Sequence, residues 1–217
     1  MEAAVDPEAW GIDVVDDLEI AGWVFVPTGI EPQDHERWIR ETASKLGEVV
    51  GNEGFEGETV TFEDVRPILQ NALDERERAH SVAMFQVWPV QGPAAVYCHV
   101  SILSNDGLPD WTEIGAVVHS IEAPHIGPGL QVATRRTIEV EGDPVELASV
   151  NLVFDNGEVT LLLTIDESLA PLVAYALPGL LLLMESIRLV RADGVPFVSE
   201  RQVSLVEDPP WRFEEDQ

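Results

Sequence analysis

The sequence predicts an α+β fold, an antiparallel β-sheet covered by helices, and three features carry that prediction. Two stretches with helical spacing come first, then a series of alternating apolar and polar runs. An almost wholly apolar stretch, Leu169 to Met184, follows and leads directly into a closing strand. A chain of 217 residues, 45% of them hydrophobic, is long enough to bury one continuous core and too apolar to stay disordered as a whole.

Residues 1–22 are acid-rich, through Glu2, Asp6, Glu8, Asp13, Asp16, Asp17 and Glu19. They read as an arm ahead of a single α+β domain over 23–206, with 207–217 as an acidic tail. Within the arm Trp10, Ile12 and Val14 alternate, the pattern of an edge strand. Gly22 to Pro27 is a short β-rich run stopped by proline. Pro32 opens a helix to about Val49, with Trp38, Thr42 and Lys45 or Leu46 at helical spacing and Gly47 or Gly51 as its stop. After the glycine-rich acidic loop 51–58, a helix is predicted over about 64–79, with Thr61 and Asp64 both plausible caps. Val65, Ile68, Leu69, Ala72 and Leu73 form its apolar stripe. Starting it at Asp64 keeps Pro67 in the first turn, where its missing N–H is tolerated.

Residues 81–88 and 94–103 read as a strand hairpin. In the second strand Val96, Cys98, Val100 and Ile102 share one face, and Tyr97, His99 and Ser101 the other. The stretch 104–129 reads as loop, interrupted by a strand near Ala116 to Ile121, and Leu130 to Val140 as the next strand. Ala148 to Phe154 and Val159 to Ile165 alternate on either side of Asp155-Asn156-Gly157, the strongest local hairpin signal in the chain. Asp166 or Ser168 is in place to cap the apolar helix. That helix is apolar nearly all round, which predicts cover on more than one side. At 16 residues, interrupted by Pro171 and Pro178, it is shorter than the about 20 residues a bilayer helix needs. Ser186 to Arg191 closes as a strand, with Phe197 to Val206 as a continuation after Asp193-Gly194.

Charge narrows the function classes. The 40 acids and 12 bases give a formal net charge of −28, which argues against nucleic acid or an anionic membrane surface as partner. Lys45 is the only lysine, a bias that resembles chains from GC-rich bacterial genomes such as those of actinobacteria, or from salt-adapted archaea. Cys98 is the only cysteine, which leaves no intramolecular disulfide and no cysteine-built zinc site. The first residues, MEAAVDPEAW, carry neither a basic n-region nor an apolar h-region, so the expected location is the cytoplasm.

The stretches ASVNLVFDNGEVTLLLTI and ALPGLLLLMESIRLV combine an Asn-Gly hairpin with an apolar helix that runs into Ser-Ile-Arg-Leu-Val. In this, residues 116–191 resemble the end of Mog1/PsbP-like domains, and the APHIGPG segment is similar to a turn in actinobacterial members. The resemblance implies an α/β/α sandwich and a bias towards non-enzymatic binding proteins. It carries over no site residue.

Candidate chemistry is sparse. Cys98 and His99 are adjacent in a strand and so point to opposite faces, which reads as a buried, inert thiol rather than a nucleophile with its base. His99, His119 and His125, with Tyr97, could line a pocket for a small enzyme or ligand-binding protein. Their spacing matches no metal motif, HExxH included, and no metal or cofactor is expected. The chain holds no GxSxG, GxGxxG or Walker loop, and its acidic loop 51–58 would repel phosphate. Asp106 lacks the spacing of a calcium loop. Trp10, Trp111 and Trp211 fall in arm or loop segments, where an amphipathic ring can anchor a partner. The expected function is therefore a non-catalytic binding protein for a cationic protein partner, of the immunity-type or secretion-associated kind. A homo-oligomer through open sheet edges stays open.

Overall fold

The computed structural model describes residues 10–14, 19–50, 61–89, 94–104 and 115–200. In chain order the elements are strands β1 (Trp10–Val14) and β2 (Trp23–Phe25), helices α1 (Pro32–Val50) and α2 (Phe62–Arg78), then strands β3 (Ala83–Val87), β4 (Val96–Ser104), β5 (Val117–Ala123), β6 (Gly127–Val140), β7 (Asp143–Asp155) and β8 (Val159–Leu169). Helix α3 (Ala170–Ser186) and strand β9 (Ile187–Arg191) follow. Seven strands form one sheet in the order β2-β3-β4-β8-β7-β6-β5, and each neighbouring pair is antiparallel. The α+β class follows directly.

The register sorts side chains onto two faces. Val96, Cys98, Val100 and Ile102 line up with Leu161, Leu163 and Ile165 of β8 and with Val150, Leu152 and Phe154 of β7. These buried residues form the main core, which α3 closes through Val173, Ala176, Leu180, Leu183 and Met184. On the opposite face α1 and α2 pack over β2 to β4. Ile39 and Leu46 of α1 and Val65, Leu69, Ala72 and Leu73 of α2 meet Met84 and Trp88 there. Helices thus lie on both faces of the sheet, each with its own apolar cluster.

The expected strand in the acidic arm forms as β1. It pairs with β9 outside the main sheet, and Trp10 stacks edge-to-face on Phe197 with ring centroids 5.8 Å apart. The Asp155-Asn156-Gly157 turn forms as read. Asn156 Oδ1 accepts from the N–H groups of Glu158 and Val159, at 3.0 and 2.9 Å, and Gly157 takes the positive φ of 88° that the turn requires.

Several expectations are corrected. Of the two stops read for α1, Gly47 lies inside the helix, which ends at Val50, close to the expected Val49 and directly before Gly51 in the sequence. α2 begins at Phe62 rather than Asp64, because Thr61 and Asp64 tie its start together: the Asp64 carboxylate accepts from the Thr61 N–H at 2.8 Å and its hydroxyl at 2.6 Å. Pro67 therefore sits inside the helix, past the first turn. Strand β6 begins at Gly127, three residues before Leu130, because Gly127 to Gly129 already pair with β5. Neither Asp166 nor Ser168 caps α3. Strand β8 continues to Leu169, which occupies the N-cap position, and Pro171 in the first turn lacks the N–H a cap would satisfy.

Helix α3 is covered on one side only among the described residues, with Tyr175 (40% exposed) and Leu182 (47%) on its outer side. Residues 197–200 form no strand; only Pro196 bridges to Val190, and Ser199 N–H donates instead to the Ile126 carbonyl at 2.6 Å. The glycine-rich loop 51–58, Asp106 and the segment from 201 onward lie outside the described residues.

Candidate functional site

The face test on β4 resolves the Cys98–His99 pair. Cys98 is 1% exposed in the main core, and burial, aided by the charge of Asp166, pushes its thiol well above its ordinary range. A neutral, sealed thiol is neither nucleophile nor metal ligand. His99 lies on the other face, with Nε2 3.1 Å from Asp166 Oδ2.

Asp166 stands two residues beyond Thr164, the residue opposite His99, so strand alternation brings it to that face, where β8 also shifts register against β7. Ala148 pairs with Ser168 and Val150 with Ile165, so Ser149 alone opposes both Asp166 and Glu167. Such a bulge turns both carboxylates towards one face. Asp166 meets His99, and Glu167 takes the guanidinium of Arg136, whose Nε donates to Glu167 Oε2 at 2.6 Å. Between them run paired polar groups. Thr164 donates to Asn151 Oδ1 at 3.0 Å, and the Thr134 and Ser149 hydroxyls stand 2.7 Å apart. At the α2 end the Tyr97 hydroxyl accepts from Asn71 Nδ2 at 2.8 Å; burial raises its pKa, and that hydrogen bond offsets part of the rise. Tyr97 also borders a recess of about 410 Å³ with Pro67, Ile68 and Asn71. Every member of this row already has a partner within the fold, so the row reads as cross-sheet stitching.

The histidines do not converge. His99 and Tyr97 share a face and stand close, with ring centroids 6.4 Å apart. His119 lies on β5, at the far edge of the sheet, and points to the opposite face. Four strand spacings separate β4 from β5, on the order of 19 Å. His125 occupies the turn between β5 and β6, half-buried at that same far edge. Among the described residues no three His, Cys, Asp or Glu side chains gather as a metal site. Trp10 is buried beneath Phe197 and Arg191, which leaves it no surface for a partner. Trp111 and Trp211 lie outside the described residues.

A second concavity lies elsewhere, along β2. A cleft of about 680 Å³ is lined by Glu19 to Phe25, Trp38, Thr42, Lys45, Leu46, Phe85 and Leu183. Its volume falls within the about 300–1,000 Å³ of a typical ligand site. Trp23, Phe25, Phe85 and Trp38 give it an aromatic wall, and Lys45 and Glu19 are its charged members. Phe25 is 51% exposed there and stacks edge-on against Phe85. The residues of this cleft carried a signal in the sequence: GWVFVP is a bulky apolar run too short to be a central strand. No helix of the described residues is long and apolar enough to cross a membrane. No protein-family model matches the chain, and neither does any curated protein or solved structure.

Proposed function

We propose that this chain is a non-catalytic binding protein that engages a cationic protein partner, as an immunity-type inhibitor or a secretion-associated factor would. The observation that carries the reading is how its few cations are spent. Arg37, Arg40, Arg66, Arg78, Arg136 and Arg191 all sit in ion pairs with acids of the same fold. The chain keeps a formal net charge of −28, and a field of that sign steers basic surfaces into encounter. The chemistry of β4 supports the same reading, since the thiol and the neighbouring imidazole occupy opposite faces and cannot act together. For the architecture we favour the Mog1/PsbP type, supported by helices on both faces of the sheet and by α3 delivering the chain into Ser186-Ile187-Arg188.

Affinity capture with the full tagged chain in extracts of its native host, over a series of KCl concentrations, tests the function. A stoichiometric basic protein that is released as salt rises is the expected result. Recovery of no such partner at any salt concentration overturns the reading.

A further inference from the structure

We propose that the cleft along β2 is a binding site for a small zwitterion with an apolar body, the chemistry of a free hydrophobic amino acid or a short apolar peptide. The inference stands apart from the reading of this chain as a binder of cationic protein, since it draws only on groups that line the cleft itself.

Helix α1 supplies the first argument. Trp38, Thr42 and Lys45 stand at i, i+4 and i+7, which places them on one stripe of the helix, and all three line the cleft. Thr42 is only 8% exposed, yet its hydroxyl has no hydrogen-bond partner among the described residues. A polar group buried without a partner is costly, and at the wall of a cleft it is left to pair with what fills the space. The Lys45 ammonium, three residues on, has no ion-pair partner among the described residues, although the chain holds 40 acids. Two neighbouring donors, one of them charged, make a seat for a carboxylate.

The segment leading into β2 supplies the second. Glu19 lines the same cleft and is exposed, and among the described residues it pairs with no cation, Lys45 included. Its carboxylate is therefore open to an ammonium. Most of the remaining lining is apolar. Trp23 and Phe25 rest on Phe85 with ring centroids 5.6 and 5.7 Å away, and Leu183 of α3 lines the cleft with them. The edge of the sheet adds a donor for a ligand oxygen. Val26 N–H donates to the Met84 carbonyl at 2.9 Å and Val24 stands opposite Gln86, so the Phe25 N–H faces the open side.

Charge selects the ligand class. A singly charged cation would bring its charge beside Lys45 and leave that ammonium unpaired. A singly charged anion would meet Glu19 within the field of a chain at −28. An uncharged apolar molecule would fill the aromatic wall but leave the Thr42 hydroxyl without a partner. A zwitterion answers each group, with its carboxylate on Lys45 and Thr42, its ammonium on Glu19 and its body against Trp23, Phe25 and Phe85. It carries no net charge, so the field of the chain does not hold it off.

The test is titration calorimetry of the full chain with L-phenylalanine, L-leucine and leucyl-leucine. We expect saturable binding, and the preference between single amino acids and the dipeptide distinguishes the two sources of this chemistry. The tightest of the three is then compared with its C-terminal amide, which lacks the anion, and its N-acetyl form, which lacks the cation. Each should bind at least about tenfold more weakly, the cost of one charge-assisted hydrogen bond. Lys45→Gln should weaken the zwitterion to a similar degree and leave the amide unchanged, and Glu19→Gln should weaken it and leave the N-acetyl form unchanged. Thr42→Val, which keeps the shape of the side chain, should weaken the zwitterion as well. Val140→Thr, at an exposed position on β6, should change nothing. Saturation by none of the three up to about 10 mM overturns the site, as does equal binding of either derivative or indifference to either charge substitution. None of these outcomes bears on the cationic partner, whose reading fails separately, when capture yields no salt-sensitive basic protein.

Discussion

A Cβ built on Gly179 would stand 2.4 Å from Nε1 of Trp23, so the indole lies directly on the backbone of α3. Glycine at this helical position is a packing requirement, since it costs about 1 kcal/mol of helix propensity relative to alanine. The contact ties β2, the short edge strand, to α3 across the main core. It also fixes the aromatic wall of the cleft, because Trp23 leans on Phe85 with ring centroids 5.6 Å apart.

Gly179→Ala sets these two effects against each other. Propensity would stabilise α3, but the methyl group must displace a packed indole, and overpacking of this kind costs on the order of 1–3 kcal/mol. The expected outcome is a lower urea midpoint together with a shift in tryptophan emission. An increase in stability would mean that the indole yields freely and does not hold β2.

Much of this arrangement was readable from residue order. Strict alternation from Val96 to Ile102 suffices to separate Cys98 from His99, because the period of a strand admits no other outcome. The Asn156-Gly157 turn and the stripe of α2 were legible for the same reason: each depends on neighbours within a few residues. The destination of Glu167 was not. Its meeting with Arg136 depends on one extra residue in β8 opposite Ser149, and a bulge leaves no mark on composition. The outer side of α3 misled in the other direction, since apolar character all round does not reveal that, among the described residues, only one side finds cover. The β2 cleft arises from helices on two faces ending at one edge, a relationship among distant segments that no local pattern encodes.

Cys98 should be unreactive towards a thiol reagent in the native state and fully reactive in 6 M guanidinium. Its burial at 1% exposure and its raised pKa both suppress the thiolate. Labelling in native buffer should proceed only as fast as the fold opens. Rapid native labelling would show that β4 exposes its apolar face, and the argument against cysteine chemistry would fall. Cys98→Ser should destabilise by about 1–3 kcal/mol, through a hydroxyl buried among Phe85, Val100 and Ile165.

The Arg136–Glu167 pair gives a signature in pH. The guanidinium holds the Glu167 carboxyl below its ordinary 4.5. A carboxylate whose pKa is depressed by folding contributes stability that is present above its unfolded value and lost as pH falls through the folded one. The wild-type chain and Glu167→Gln should therefore differ in urea midpoint at neutral pH and converge as pH drops below about 4.5. Both groups are exposed, so the difference will be small. Curves that stay parallel to pH 3 would show that the pair contributes nothing to the fold.

Salt should act in opposite directions on the fold and on its complex. Raising KCl from about 0.05 M to about 1 M shortens the screening length to about 3 Å and relieves the self-repulsion of a chain at −28. The exposed ion pairs on α1 and α2 weaken in the same change, but each is worth only about 0–1 kcal/mol. Repulsion among the unpaired acids outweighs them, so Tm should rise with KCl. A cationic partner held by that same acidic field should dissociate over the same range. If Tm instead falls, the ion pairs dominate, and the acidic excess would no longer exert the long-range field on which partner recognition is argued.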